Sequence, residues 1–193
     1  HLYQQNTMRD AMVAALSLNV FQRHTDRVKM ANIAQVVNVL QSMILTDTVG
    51  TGRMVLTPTY HVFQMYKDFQ EATYLPMDVK TDSIDVEGGH MYQMKAGKIP
   101  AISLSAARKT DGTIVVSLVN PSLDKAQQVE FTLEGASPKT ASGSILSGKN
   151  MTDYNDFDNP ERIRPTLFKD VKIKKNNVRL TVPAKSIIVV TLK

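Results

Sequence analysis

The sequence predicts a chain of two unlike parts: a helical or α/β segment over residues 1–73 and an antiparallel, all-β sandwich over residues 74–193. Three observations lead to this prediction. Apolar residues near the start recur at the spacing of an α-helix. A β-branched apolar run and a second helical pattern follow. From Tyr74 onward, short alternating segments are separated by turn-forming residues, which is typical of a sandwich.

The first helix is predicted to begin at Thr7 and to end near His24. Thr7 and Asp10 together resemble a capping box, with Asp in place of the preferred Glu or Gln. The apolar positions at helical spacing are Met8, Ala11, Met12, Ala15, Leu16 and Val20. Phe21 and other apolar residues lie on the remaining faces, so the helix is expected to pack inside a larger body.

A buried strand is predicted over about residues 28–35, where apolar and β-branched residues dominate. The same run also fits a helix, because Val28, Ala31, Ala34 and Val37 recur at helical spacing. We prefer the strand.

A turn and a second helix follow this run. Gly50 and Gly52 mark a turn between two short apolar segments, and Thr57 with Pro58 is a typical helix start. Helix, strand, loop and helix make one and a half units of an α/β repeat. Because a lone buried strand needs neighbours on both edges, we predict the end of a barrel whose earlier units are missing from this chain.

The second half contains many short strands. The alternating segments are residues 102–106, 114–119, 129–133, 171–173 and 178–182. Ser186 to Leu192 is predicted to be a strand buried on both faces, because it is apolar almost throughout. Residues 150–168 are predicted to be an irregular polar loop, with Pro160 and Pro165 as breakers.

Composition excludes several classes of protein. Hydrophobic residues make up 42% and charged residues 21%, which is typical of soluble globular proteins. No apolar run approaches the roughly 18 residues of a membrane span, and no signal-peptide pattern is visible at His1. The chain starts at His1 rather than Met and runs straight into a helical pattern, so we expect the start to be internal to a longer gene product. Any targeting signal would have been lost with the preceding part, which leaves the compartment open. The absence of cysteine excludes disulfides, thiol nucleophiles and cysteine-bound zinc.

The net charge of +5 does not indicate a nucleic-acid partner, because the basic residues are scattered. Their densest cluster, Lys172, Lys174 and Lys175, alternates with Val171 and Ile173, as on the solvated face of a strand. The chain also has no Trp, which weakens the case for a dedicated sugar-binding platform.

Long stretches of the chain resemble the α-L-arabinofuranosidases of glycoside hydrolase family 51. The most specific run, His24 to Gln41, resembles the family's sequence after its catalytic nucleophile. Further similar stretches are residues 43–46, 56–66, 119–120, 143–148, 155–161 and 182–187. The resemblance implies a (β/α)8 barrel, of which residues 1–73 are the terminal helix–strand–helix segment. It also implies a C-terminal jelly-roll-like sandwich over residues 74–193.

The resemblance implies a retaining enzyme that releases terminal arabinofuranose from arabinan- or arabinoxylan-type glycans with two carboxylates. In this family one catalytic Glu follows Asn and the other precedes Trp, and this chain contains neither pair. Its five glutamates are Glu71, Glu87, Glu130, Glu134 and Glu161. We expect none of them to be catalytic, and we expect this chain alone to be inactive and structural. No metal or cofactor is expected, because the mechanism needs none.

Gln35 and Asn38 are the candidate substrate residues. If residues 28–35 form the last barrel strand, both side chains lie near its C-terminal end, where barrel enzymes place their active sites. Each is predicted to contact sugar hydroxyls; the alternative is a structural amide that satisfies backbone groups at the strand end.

Other potentially catalytic residues have weaker support. His24 and Asp26 resemble a base and its orienting partner, but they fall at the helix–strand turn, on the opposite face of a barrel. His61 is expected to be packed or solvent-facing, and the run from Glu87 to His90 is too short for a metal site.

The parent enzyme is expected to bind an arabinose-containing glycan. It is also expected to form a homo-oligomer, because members of the family that the chain resembles commonly do so. Neither nucleic acid nor membrane is expected. The alternative is a free-standing sandwich that binds polysaccharide, which the barrel-like first part and the missing Trp disfavour.

Overall fold

The computed structural model describes residues 6–34, 36–47, 50–88 and 95–193. Within these ranges lie two α-helices, a single 3-10 turn at Lys67–Phe69 and thirteen strands. The helices are α1 (Met8–Arg23) and α2 (Pro58–Tyr66). The strands are β1 (Ile44–Thr46), β2 (Met54–Leu56), β3 (Thr73–Tyr74), β4 (Ser83–Val86), β5 (Gly97–Pro100), β6 (Ser103–Arg108), β7 (Ile114–Asn120), β8 (Gln127–Thr132), β9 (Ala141–Ser147), β10 (Thr166–Phe168), β11 (Val171–Lys174), β12 (Asn177–Val182) and β13 (Ser186–Leu192).

Both helices begin where the sequence predicts. At α1 the backbone N–H of Thr7 donates to Asp10 Oδ2 at 2.8 Å, so Asp replaces Glu in the predicted capping box. At α2 the Thr57 hydroxyl accepts from the backbone N–H of Tyr60 at 3.3 Å, and Pro58 occupies the first turn. These caps satisfy one backbone group at the start of each helix, and α1 ends at Arg23 as expected.

A six-stranded antiparallel sheet is the centre of the molecule, with the strand order β10-β9-β13-β7-β6-β3. Its strand β13 lies between β7 and β9, so Ile188 faces Leu118 on one side and Ile145 on the other. Because side chains alternate along a strand, Ile188 and Val190 enter one core while Ile187 and Val189 enter a second. The predicted strand buried on both faces is therefore confirmed.

Two different layers cover the central sheet. The three-stranded sheet β11-β12-β8 covers one face, and Val178, Leu180 and Val182 of β12 join the core between the sheets. The helices α1 and α2 pack together on the other face through a core that includes Met8, Val62 and buried residues of β7 and β13. The predicted β-rich second half is confirmed, and α1 and α2 form a layer on one face of its central sheet.

A buried polar network joins this helix layer to the sheet. The Asn19 side chain of α1 donates to Ser103 Oγ at 3.2 Å and accepts from Tyr66 OH at 2.9 Å and Ser117 Oγ at 2.6 Å. Burial raises the pKa of Tyr66, so its hydroxyl remains protonated and can donate. The network satisfies groups from two helices and two strands at one point.

The predicted strand over residues 28–35 is not formed at residues 28–34 of this chain, and Gln35 lies outside the described residues. A strand exists only when neighbouring strands pair with its edges, and within the described ranges none lies beside this run. Met30, with 76% of its surface exposed, is correspondingly unburied. The division at residue 73/74 stays a prediction.

Candidate functional site

Residues 36–47 and 50–56, here called the hairpin segment, form a small sheet that projects from the base of α2. Strand β1 pairs with β2 in antiparallel fashion, and Val37 forms a parallel bridge to Ile44. The sequence predicted this turn from Gly50 and Gly52, which have φ values of 73° and 78°, a region that favours glycine.

Asn38 is placed within the hairpin segment by its own amide group. Its side chain donates to Thr46 Oγ1 at 2.8 Å and accepts from the Thr46 backbone N–H at 2.7 Å. Its φ of 59° lies in the left-handed region, which Asn tolerates better than most residues. The side chain is exposed, and one donor and one lone pair of its amide have no partner among the described residues; sugar contact stays a prediction.

The hairpin segment is fixed to the body of the protein at its base. Thr57 Oγ1 donates to the carbonyl of Ser42 at 2.9 Å, and the Thr57 backbone N–H donates to the carbonyl of Met43 at 3.0 Å. The Asn155 side chain donates to the carbonyl of Leu56 at 2.8 Å. Asn155 belongs to residues 148–165, here called the anchoring loop. The irregular polar loop was predicted over residues 150–168, and its last three residues, Thr166–Phe168, instead form β10.

A charged cluster near the turn makes a second contact with the anchoring loop. Arg53 lies 3.4 Å from Asp47 Oδ2, and its guanidinium carbon is 5.1 Å from the ring centroid of Phe157. A hydrogen bond from the Thr51 hydroxyl, together with Arg53, holds the pKa of Asp47 below its ordinary value. Asp47 therefore carries its charge at neutral pH and keeps Arg53 in place.

The hairpin segment and the run before it expose apolar side chains. Val36, Val37, Val39 and Met54 are all exposed, as is Met30. Eight of the eleven exposed large hydrophobic side chains in the described part of the chain lie before residue 57. Because exposed apolar groups that cluster in this way mark contact surfaces, this region is the main candidate for an interface.

The two candidate histidines have different environments. His24 and Asp26 lie in the exposed turn after α1. His61 is buried in α2, with Nδ1 3.5 Å from Gln64 Oε1 and the Tyr60 ring edge-on to it. Burial lowers the pKa of His61, so it is mostly neutral at pH 7. His61 is thus packed, one of the two environments that the sequence predicted for it.

The glutamates lie at scattered surface positions. Glu130 accepts from Arg179 Nη2 at 2.9 Å and from Asn177 Nδ2 at 2.8 Å, and these bonds lower its pKa. Glu161 pairs with Arg164 at 2.9 Å, and Glu71 occupies a turn with a φ of 59°. Among the described residues no group of three or more potential metal ligands occurs, and His90 lies outside them.

A cleft of about 1380 Å³ lies between the central sheet and the three-stranded sheet. Its floor is aliphatic, with Leu104 and Val116, and its edges are polar, with Arg108 and Glu130. Phe131 is the single aromatic side chain among its described lining residues.

None of the helices in the described ranges is long and apolar enough to cross a membrane.

One family recurs in the comparisons with known proteins. The model of the α-L-arabinofuranosidase C-terminal domain matches residues 1–186. An intracellular exo-α-L-arabinofuranosidase of Bacteroides ovatus is 49% identical over 193 residues, which are 100% of this chain and 36% of that protein. The chain thus spans about a third of that relative's length.

Solved structures give the same result. The family 51 arabinofuranosidase of Xanthomonas axonopodis superposes with a TM-score of 0.89 at 39% identity, covering 100% of this chain and 37% of that one. A family 51 α-L-arabinofuranosidase from Bifidobacterium longum shares the fold, with a TM-score of 0.86 at 22% identity over 100% of this chain and 36% of that one. This chain therefore belongs to the family of α-L-arabinofuranosidase C-terminal domains.

Proposed function

We propose that this chain is the C-terminal part of a retaining α-L-arabinofuranosidase that releases terminal arabinofuranose from arabinan- or arabinoxylan-type glycans. In this proposal the chain supports the enzyme and carries none of its catalytic carboxylates. The 49% identity to an exo-α-L-arabinofuranosidase over the whole chain supports the activity of the parent protein. The 36% coverage of that relative leaves room for a catalytic domain outside this chain.

The exposed apolar surface of the first 56 residues is the observation that carries the proposal. On α1, Val13, Val20 and Phe21 are exposed although the opposite face is fully packed. The hairpin segment adds further exposed aliphatic side chains. Burial of apolar surface contributes about 25 cal/mol per Å². A neighbouring (β/α)8 barrel, to which residues 1–73 contribute the last units, would cover this surface.

Retaining hydrolysis requires two carboxyl groups about 5–5.5 Å apart, one as nucleophile and one as acid/base. Glu130 and Glu161, which are committed to surface ion pairs, are poor candidates for either role. An acid/base also needs a raised pKa, whereas the pKa of Glu130 is lowered. The proposal therefore places both catalytic carboxylates upstream of this chain.

Hydrolysis of an aryl α-L-arabinofuranoside tests the proposal. The 193-residue chain is assayed beside a version extended upstream to include the whole barrel. We expect activity in the extended protein alone. Activity in the short chain would overturn the supporting role, and inactivity of both would overturn the arabinofuranosidase assignment. In the extended protein, amide exchange of residues 28–34 should also slow, because barrel neighbours would pair with this run.

The cleft between the central sheet and the three-stranded sheet favours a second candidate, a sandwich that binds polysaccharide. Its polar edges offer hydrogen-bonding groups, but its floor is aliphatic, whereas sugar-binding platforms use exposed aromatic rings. Electrophoresis of the chain through a gel containing arabinan separates the two candidates. Retarded migration, lost on Phe131→Ala, would support the binding module; unchanged migration would leave the supporting role.

A further inference from the structure

The anchoring loop, residues 148–165, is itself built into the body of the protein. The backbone N–H groups of Met8 and Arg9 donate at 2.8 Å to the carbonyls of Asp153 and Met151 in this loop. These are free donors of the first turn of α1, which a helix cannot satisfy internally. Ile163 is buried in the core beneath the helices. The loop is therefore anchored to both α1 and the core.

Asn155 connects this loop to the hairpin segment. Its amide nitrogen donates to the carbonyls of Leu56 and Ile163, both at 2.8 Å, and its oxygen accepts from the Ile163 N–H at 2.8 Å. Only 2% of Asn155 is exposed. An aspartate would retain the acceptor but lose both donors, and an alanine would lose all three bonds. The end of β2 is thus held by a residue 99 positions away in the sequence.

The contact of Arg53 with Phe157 holds the same segment from a second direction. Arg53 precedes β2, and Leu56, the partner of Asn155, ends it. The two contacts therefore fix both ends of β2 on one loop. Because β2 pairs with β1, and Thr46 of β1 bonds to Asn38, the anchoring loop also determines the position of Asn38.

We infer that the anchoring loop positions the hairpin segment as part of the rim of the sugar-binding site in the full-length enzyme. Asn155 is the principal positioning residue. This inference rests on the proposed function, in which residues 28–35 end the barrel. In such barrels the loops that follow the strands build the active site, and the hairpin segment directly follows residue 35. The sandwich would then control substrate binding from outside the barrel.

The test compares Asn155→Asp and Asn155→Ala with Asn159→Ala in the full-length protein. Asn159 is a matched control, because its side chain makes a single bond of 3.4 Å, to Asp156 in the same loop. Hydrogen exchange is measured on peptides from residues 36–57, with β13 peptides as the internal reference. The KM and kcat are measured with an aryl α-L-arabinofuranoside and with an arabino-oligosaccharide.

Both Asn155 variants should speed exchange in the hairpin segment by about tenfold or more while β13 stays protected. They should raise the KM by roughly three- to tenfold, with kcat within about twofold, because a displaced rim weakens ground state and transition state alike. Asn159→Ala should change neither quantity. Where Asn155 variants fail to fold, Phe157→Ala replaces them, since Phe157 is only half-buried and its ring contacts Arg53.

Two results would overturn the inference. Faster exchange in the hairpin segment with unchanged KM would show that this segment is not part of the sugar site. Unchanged exchange in all variants would show that the loop does not position it. Inactivity of the unmodified full-length protein would overturn the proposed function and, with it, the rim assignment. The activity of the unmodified protein therefore distinguishes the two failures.

Discussion

Two runs that contain several valine and isoleucine residues adopt different structures in this molecule. Ser186 to Leu192 forms β13, which is almost completely buried between β7 and β9. Residues 28–40 also contain five valine and isoleucine residues, yet residues 28–34 form no strand, and Val36 and Val37 are exposed. The difference shows that β-propensity describes a fit to neighbouring strands more than a preference of the backbone itself.

The largest expected effect is a direct test of this contrast. Ile187→Ala removes a fully buried side chain from the core beneath the helices and should lower the free energy of unfolding by about 2–5 kcal/mol. Val37→Ala removes a side chain that is 44% exposed and should change it by less than about 0.5 kcal/mol. Denaturant unfolding of the two variants measures both values. Equal losses would show that the hairpin segment belongs to the same cooperative core.

The next effect concerns how the helix layer is attached to the sheet. Asn19→Ala leaves the hydroxyl groups of Tyr66 and Ser117 only their longer contacts, to the carbonyls of Ala15 at 3.4 Å and Ser105 at 3.5 Å, and should cost about 2–3 kcal/mol. Tyr66→Phe, the control, removes a hydroxyl that donates to Asn19 Oδ1 at 2.9 Å and to the Ala15 carbonyl at 3.4 Å, and should cost about 1 kcal/mol. Thermal and denaturant unfolding report both values. If Asn19→Ala costs no more than Tyr66→Phe, the network does not hold the two layers together.

The second half of the fold was largely predictable from the sequence, and the reasons are physical. β7, β12 and β13 have strict alternation or continuous apolar character that fits only a strand. β9 was missed because Ala141, Ser142, Gly143 and Ser144 carry little hydrophobic pattern. Its place in the sheet comes from pairing with β13, a long-range contact that local sequence does not encode.

The candidate site was predictable only in part. A turn at Gly50 and Gly52 follows from local chemistry, as do the caps at Thr7 and Thr57. The role of Asn155 does not, because its partner Leu56 is 99 positions away in the sequence and only the tertiary fold brings the two together. The residues around Asn155 supported the family resemblance, but no local pattern indicated their contact with the hairpin segment.

A smaller effect is expected where the anchoring loop meets the body. A Cβ atom on Gly148 would lie 2.9 Å from the Asn150 carbonyl oxygen and 3.2 Å from Ile163 Cδ1. Gly148→Ala should therefore lower the free energy of unfolding by about 1–2 kcal/mol through overpacking. Gly97→Ala is the matched control, since nothing lies within 4 Å of its Cβ position. Equal stability of the two variants would show that the loop accommodates the added methyl group without lowering the free energy of unfolding.

The smallest effect is a pH dependence of the helix layer. Burial lowers the pKa of His61 below its ordinary value of 6.5, although Gln64 and the charge of Glu161 oppose the shift. As the pH falls through 6.5, the unfolded chain therefore binds a proton before the folded one does, and stability falls. It continues to fall until the pH passes the folded-state pKa.

This dependence should be small, because one partly compensated histidine is involved, and it should weaken in His61→Gln. Unfolding midpoints measured at intervals between about pH 7.5 and pH 5 compare the two proteins, using the ordinary titration range of histidine. Parallel curves would mean that His61 does not titrate differently on folding. A weaker pH dependence of the unfolding midpoint in His61→Gln would show that the acid sensitivity arises from the buried helix α2 and not from the exposed hairpin segment.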